Sequence, residues 1–567
     1  MKMPIEMEIE KRRDELIAYA VGHLPIIKEY AMKLGIVDAI DRMIPCRMAE
    51  SPGTVFLGMI MDTLSGRSPL YRLDEFFENQ DTELLLGKNV RPEAFCDYNV
   101  ARVLDRAYEI GSMKIFAELS RRAVLMFDVD TKHVSFDTTS ISVFGEYEQC
   151  SDNSRDVPFR IAHGHSKNHR PDLKQFLISL LCVDKNIPIV GGTESGNESD
   201  KNINNVVLSS VSRHMAKCGI EEGAFIYIAD SAMVTEENLA KAGDSTKFIT
   251  RLPATYNECG RAIRKAVEKD EWAEVGILAE TKPTKNRPAA FYKVSESSVD
   301  LYGKRYRAVV VHSSSHDRRR QKRIDRELGA DLKDVESRLK SISKKEFACR
   351  EDAEKEKDEL LKKKNKYYRL EASVEEVPKY KRGRPKNGVR QIERLLYSVG
   401  GRISERTASV ERFRKEGGCF VLLTNVPEEK DNGYKAKDIL KAYKDQHGIE
   451  RNFGFLKDPV IVNSIFLKKP ERIEVLGLVL LLSLLVWRLV ERSMRCFVEN
   501  TGSDLPGWKN RRTLKPTSFM LMTKFAGVIV IVSGSERRLN KPLTNQQKEY
   551  LNALGIRSDV FVKPKNE

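Results

Sequence analysis

Three carboxylates and one polar helix face hold the chemistry that this chain could do. Residues 443–459 read YKDQHGIERNFGFLKDP, with Tyr443, Gln446, Glu450 and Lys457 at intervals of 3, 4 and 7 residues. On an α-helix those intervals stack all four side chains on one face. The face then joins a phenol, an amide, a carboxylate and a cation, beside an apolar stripe of Ile449, Phe453 and Leu456. Asp137 lies within HVSFDTTS, whose alternation predicts a strand with Val134 and Phe136 on the opposite face. Asp is disfavoured inside a strand without a reason. Asp230 ends the apolar run FIYIAD, where a buried strand emerges and open sheets place their sites. Two strand-borne Asp residues and a helix-borne Glu form a set of hard oxygen ligands for two Mg²⁺ ions, with Mn²⁺ as a substitute. Such a pair of ions, about 4 Å apart, binds the attacking and leaving oxygens of an in-line phosphoryl displacement.

Each carboxylate also has a plainer reading. Asp137 would cap a turn with Thr138, Asp230 would cap the segment ahead of Thr235, and Glu450 would pair with a neighbouring Lys. Asp445 and Asp458 lie nearby but off the face shared by Tyr443 and Lys457.

The elements that must position these groups follow from periodicity. Residues 1–130 read as mostly helical, in short helices punctuated by Gly66, Pro69, Gly87 and Pro92, which suits a helix-turn-helix-like DNA module or any small bundle. LKQFLISLLCVDKNIPIVGG reads as two strands of a hairpin joined at Lys185-Asn186. Thr235 caps a helix beginning EENLAKA, and KFITRL is a further strand. The succession of three antiparallel-type strands and then strand, helix, strand is the order found in RNase H-like folds. Residues 257–416 interrupt it with β-like pieces and a charged segment in which Leu328, Leu332, Val335, Leu339 and Ile342 form a heptad seam. That seam predicts a helical arm or a short coiled coil. CFVLLTN, after Gly417-Gly418, reads as a buried strand leading to the polar helix face.

Composition narrows the partner. The 567 residues carry a net charge of +15, which points to an anionic partner, foremost nucleic acid. His165, Lys167, His169, Arg170 and Lys174 form a dense basic stretch before a strand, a second candidate DNA contact. No further ligands cluster near the two histidines, so zinc is not expected there. KRGRPK, with Arg382 and Arg384, resembles a minor-groove AT-hook core or a basic linker. The nine cysteines include no CxxC pair and read as reduced cytosolic thiols. The N-terminus lacks the apolar core of a signal peptide. The apolar run Val475–Trp487 spans 13 residues and is expected as a buried helix too short for a bilayer.

The pattern around Glu450 resembles the Y-x2-R-x3-E-x6-K signature of bacterial insertion-sequence DDE transposases, with Tyr443, Glu450 and Lys457 matching and Gln446 in place of Arg. SFDTTS, GHSKNHRPDLKQ, YIADSAMVTEENL, KFITRL and FVLLTN are similar to the motif blocks of the IS-four-like group, over roughly residues 130–500. The resemblance implies that Asp137, Asp230 and Glu450 hold the catalytic metals, and that Tyr443, Gln446 and Lys457 contact DNA near the cleaved strand. Gln is neutral, so it grips phosphate less strongly than Arg. Arg451 lies about 100° round the helix from Glu450 and is no obvious substitute. The resemblance also implies a homodimer bridging two ends of double-stranded DNA, in a prokaryotic cytoplasm with no membrane.

The fold expected is α/β: an RNase H-like catalytic core, a mixed sheet with flanking helices, interrupted by a large insertion and preceded by an all-α N-terminal domain. The boundaries expected are 1–130 for a helical DNA-binding domain, 131–256 and 417–530 for the two parts of the core, 257–416 for the insertion, and 531–567 for a C-terminal segment. The function expected is a transposase that cleaves and joins DNA with Mg²⁺. Two alternatives stand beside it, an RNase H-like nuclease or resolvase without strand transfer and a non-catalytic regulator derived from a transposase.

Overall fold

The computed structural model describes residues 16–66, 70–145, 147, 157–166, 170–217, 219–221, 223–243, 246–278, 288–382, 390–429, 433–458 and 467–564. The chain forms two compact units, one from the residues up to Thr250 together with those from Ala442 onward, the other from Arg251–Lys441. Each is mixed α/β.

In the first unit, β1 (Leu16–Tyr19) leads into α1 (Leu24–Leu34), α2 (Ile36–Met43), α3 (Pro52–Leu64), α4 (Leu73–Glu78), α5 (Thr82–Leu85), α6 (Asp97–Ile110) and α7 (Ser112–Met126). Local signals set their limits. Ser51 caps α3 by accepting from the Thr54 amide at 3.2 Å, and Pro52 takes the first turn, where a missing N–H is harmless. Gly35, with φ of 63°, ends α1 in a left-handed conformation and opens α2.

The strands that bear the two aspartates follow. They are β2 (His133–Val143), β3 (Lys174–Val183) and β4 (Ile187–Glu194), then α8 (Asp200–Lys217), β5 (Ile226–Ala229), α9 (Glu236–Ala242) and β6 (Lys247–Arg251). Side by side the order is β4-β3-β2-β5-β6. β3 runs antiparallel to β2 and β4, whereas β5 is parallel to β2 and β6. The hairpin expected at Lys185-Asn186 turns through Asp184, Lys185 and Asn186 between the paired Val183 and Ile187, with Asp184 and Lys185 left-handed at φ of 44° and 72°. Thr235 caps α9, accepting from the Asn238 amide at 3.1 Å.

The second unit contains α10 (Asn257–Lys269), β7 (Ala273–Ile277), β8 (Phe291–Leu301), β9 (Lys304–Ser313), α11 (Ser314–Ile342), α12 (Arg350–Lys362), β10 (Tyr368–Tyr380), β11 (Ile392–Glu405), α13 (Thr407–Gly417) and β12 (Cys419–Thr424). β12, β9, β8 and β7 are antiparallel neighbours in that order, and β10 and β11 form a separate two-stranded ribbon. The heptad seam lies on α11, but its partners are internal. Leu328 packs with Ile324, Tyr367 and Val410, while Ile342 and Leu339 pack with Ala353, Val399, Ala372 and Val374. The coiled-coil expectation is therefore corrected, because the ribbon, α12 and α13 already cover the apolar stripe.

The chain returns through α14 (Ala436–Asp445) to α15 (His447–Leu456) and α16 (Pro470–Thr501), then β13 (Leu505–Pro506), β14 (Arg512–Thr513), α17 (Ser518–Phe525), β15 (Val530–Ser533), β16 (Glu536–Leu539) and α18 (Asn545–Leu554). The 13-residue apolar run sits within α16, a helix of 32 residues that by length and composition alone could cross a membrane. The length expectation is corrected, since polar residues on both sides continue the helix. The burial expectation holds, with 94% of the most apolar stretch enclosed by the protein. α1, α3, α6, α7, α18 and β4 all pack against it. The early helices are thus organised around a helix made late in the chain. β1 likewise pairs with β15, and Arg537 of β16 meets Asp81 at 2.7 Å in a buried ion pair.

Two predictions test this packing. His23 is buried with Nε2 3.0 Å from the Leu64 carbonyl oxygen, and burial pulls its pKa from 6.5 down to about 4. The neutral ring is the folded form, so its stabilisation is complete above pH 6.5 and is lost as pH falls toward 4. Urea denaturation should show a loss of up to about 3 kcal/mol across that window, and His23→Gln should flatten it. Leu328→Ala should cost about 2–4 kcal/mol while leaving the sedimentation coefficient unchanged, because the seam is a core contact and not an association surface.

Candidate active site

The register of β2 and β5 brings two aspartates together. The parallel pairing runs from His133↔Ile226 to Ser135↔Ile228, a constant offset of 93 residues. Asp137 and Asp230 differ by the same 93. The register carried two residues further aligns Asp137, inside β2, with Asp230, just past the end of β5, on one face of the sheet. The opposite face is apolar, with Phe136 and Tyr227 stacked at 6.3 Å between ring centroids. The Tyr227 hydroxyl donates to Asn204 Oδ1 of α8 at 3.0 Å. Burial holds its pKa well above the usual tyrosine value, with the charges of Asp230 and Asp137 adding to the effect.

Local hydrogen bonds orient both carboxylates. Asp137 Oδ1 accepts from the Thr138 amide at 2.7 Å. Asp230 Oδ1 accepts from the Ala232 amide at 2.9 Å and caps the short 3₁₀ turn Ser231–Met233. The Asp230 carbonyl accepts from Thr250 Oγ1 at 2.6 Å, which ties the strand end to β6. Capping and metal ligation are compatible here, since a carboxylate has about four lone-pair sites.

The signature segment departs from one continuous helix face. Tyr443 lies on α14, Gln446 stands between the helices, Glu450 is on α15, and Lys457 is its C-cap. The helix breaks where it meets the β3–β4 turn. A Cβ on Gly448 would stand 1.9 Å from the Lys185 carbonyl oxygen, so only glycine admits this approach. The Gln446 amide nitrogen donates to the Phe136 carbonyl at 3.2 Å, which fastens the segment to the strand bearing Asp137. Glu450 is turned outward, 70% exposed, with Oε1 3.2 Å from His447 Nδ1. Among the described residues no three His, Cys, Asp or Glu side chains gather closely enough to hold a metal ion. Strand register aligns Asp137 with Asp230, while Glu450 points outward from α15.

The basic candidates are also dispersed. Lys167 and Arg384 lie outside the described residues. Arg170 is exposed and bidentate to Asp172, at 2.9 and 2.7 Å. Lys174 opens β3, and Arg382 is exposed just beyond β10.

A buried polar network that sequence reading missed fixes α15. Asn452 Nδ2 donates to the Asn186 carbonyl at 2.8 Å, and Asn452 Oδ1 accepts from Arg488 Nε at 2.7 Å. Arg488 also donates to the Arg451 carbonyl at 2.9 Å and meets Glu491 at 3.2 Å, and Glu491 meets Arg495 at 2.7 Å. Burial pulls the Arg488 pKa down, and Glu491 opposes that. The available signal was the spacing of Arg488, Glu491 and Arg495 on one helix face directly after an apolar run. Asp200 was missed as well; its Oδ1 accepts from Thr138 Oγ1 at 2.6 Å, one residue from Asp137. A cavity of about 1010 Å³, lined in part by Phe136, Glu194, His214 and Glu474, touches none of Asp137, Asp230 or Glu450.

Residues 17–121 match the model of a domain of unknown function, DUF4277. The match covers the early helices and stops short of all three carboxylates. No curated protein matches the chain.

The network generates a prediction. Asn452→Leu leaves the buried guanidinium and the Asn186 carbonyl short of a partner and should cost about 3 kcal/mol in urea denaturation. Adding Arg488→Met should restore much of that loss, as expected when a buried charge and its partner leave together.

Proposed function

We propose that the chain is a DNA transposase of the DDE class, which cleaves the ends of an insertion sequence and joins them to target DNA. The observation that carries this reading is the parallel register of β2 and β5, whose offset of 93 residues aligns Asp137 inside β2 with Asp230 just past β5. Counted from β2, the strand order is 3-2-1-4-5 with only the second strand reversed, the order of RNase H-like cores. The net charge of +15 suits a DNA substrate.

Asp137 and Asp230 offer hard oxygen donors that fit Mg²⁺ or Mn²⁺, and Glu450 would complete the set on leaving His447. When bound, Mg²⁺ would supply activation of the attacking hydroxyl and neutralisation of the leaving 3′-oxygen. The protein orients both aspartates through backbone amides and holds the Glu450 helix against β2 through Gln446. Gln446 serves this reading as a brace between helix and strand, in place of a phosphate grip. Tyr443 and Lys457 would contact DNA from either end of the broken helix. A homodimer bridging two DNA ends would have to use a surface other than the heptad seam.

The outward position of Glu450 favours one second reading, a DNA-binding regulator that does not cleave. A cleavage and strand-transfer assay on the element's own terminal DNA with Mg²⁺ separates the two. Wild type should nick and join. Asp137→Ala, Asp230→Ala and Glu450→Gln should each lower the rate by more than about 100-fold while DNA affinity stays within about threefold. Binding by the wild type with no metal-dependent cleavage would reject the enzyme reading, and cleavage without joining would identify a nuclease.

A further inference from the structure

The cavity beside β4 serves neither the fold nor the carboxylates of the candidate site. Its volume is about 1010 Å³, at the top of the range of small-molecule sites, which reach about 1,000 Å³. α7, α8, the start of α16 and the β3–β4 hairpin form its walls. Gly192 leaves one wall bare. A Cβ there would stand 3.7 Å from Ser179 Oγ, 3.8 Å from Glu194 Oε1 and 3.8 Å from Met113 Sδ, all ordinary contact distances. Its φ lies outside the left-handed region, so the backbone does not require glycine. Met113 and Val206 line the same space yet are 59 and 66% exposed, which marks an apolar mouth open to water.

Charge is layered in this cavity. Glu194 and Glu474 line it and are only partly exposed. Burial raises the pKa of both, and the charges of Glu198 and Glu474 raise that of Glu194 further. Ser179 Oγ donates to Glu194 Oε1 at 2.9 Å. Neither carboxylate has a cationic partner among the described residues. Lys114, Arg213 and Lys217 also line the cavity, are exposed, and carry no ion pair among the described residues. Glu118 on the same wall is taken by Arg121 and Arg122, at 3.1 and 2.9 Å. Unpaired acids lie within and unpaired cations at the rim. A guest that satisfies both must present N–H donors at one end and an anion at the other.

We propose that this cavity binds a free guanine mononucleotide, with base N1–H and N2–H₂ donating to Glu194 and Glu474 and the phosphate on Lys114, Arg213 and Lys217. Guanine is the base whose Watson–Crick edge sets two N–H donors side by side. Adenine and cytosine put an acceptor next to their amino group, and the N–H of thymine or uracil lies between two carbonyls. A carboxylate only accepts, so each of those acceptors would be repelled. The site is independent of the DNA-acting reading, since it touches none of Asp137, Asp230 or Glu450.

The test is equilibrium dialysis of the full chain at pH 8 with GMP, AMP and guanosine. GMP should bind at least about tenfold tighter than either of the others, and should raise the melting temperature of the wild type. Gly192→Leu fills the bare position and should abolish both effects, whereas Gly192→Ala should keep them. Arg213→Ala with Lys217→Ala alters exposed side chains only, and should weaken GMP by about tenfold while leaving guanosine unchanged. Glu194→Gln with Glu474→Gln should erase the preference over AMP. No binding of GMP at millimolar concentration, equal binding of AMP, or an unchanged affinity in Gly192→Leu would each overturn the proposal. Stronger binding of a guanine-containing single-stranded oligonucleotide than of GMP would also overturn it, by assigning the cavity to a DNA strand. Cleavage of terminal DNA is read separately, so either reading can fail while the other stands.

Discussion

The buried guanidinium of Arg488 is the interaction on which the candidate site depends. A charge enclosed in the apolar face of a helix is tolerable only when every donor finds an acceptor. Here the acceptors are Asn452 Oδ1, the Arg451 carbonyl and Glu491. The first two belong to α15, so satisfying the charge fixes that helix in position and rotation against α16. Asn452 in turn reaches the Asn186 carbonyl at the β3–β4 turn. One desolvated cation thereby links the core helix, the helix of Glu450 and the hairpin beside the strand of Asp137. An apolar contact of similar size would hold these elements together without specifying their rotation.

The site has two tiers of rigidity as a result. Asp137 and Asp230 are aligned by strand register, the least adjustable feature of a sheet, because a slip of one residue between β2 and β5 would put the two side chains on opposite faces. Glu450 sits on the exposed side of a helix whose opposite side is locked. Its backbone is fixed while its side chain, joined to His447 at the surface, retains rotamer freedom.

Much of the local architecture was legible in the sequence because it rests on short-range rules. The strands around Asp137 and Asp230 follow from alternation and apolar runs, the α9 cap from Thr235, and the hairpin from a polar break between apolar segments. The offset of 93 residues turned out to be a register, which no single segment could reveal. What was missed depends on distant partners. The heptad seam is a valid period-3.5 stripe, but Ala372, Val374 and Val399 occupy it from a ribbon later in the chain. The single helix face spanning Tyr443 to Lys457 is interrupted at Gln446, and Gly448 just beyond it packs closely on Lys185, a residue far earlier. The outward rotamer of Glu450 and the network of Arg488 belong to the same class, where tertiary contacts override periodicity.

The position of α16 has a consequence for how the molecule is made. Helices α1, α3, α6 and α7 leave the ribosome long before residues 470–501, the helix they pack against, and β1 must wait for β15. They emerge as an incomplete bundle with its apolar interior uncovered. The second unit, by contrast, is continuous from Arg251 to Lys441 and has core clusters of its own. A chain stopped before α16 leaves the early helices without the helix they pack on, which couples assembly of the unit holding Asp137 and Asp230 to near-complete synthesis.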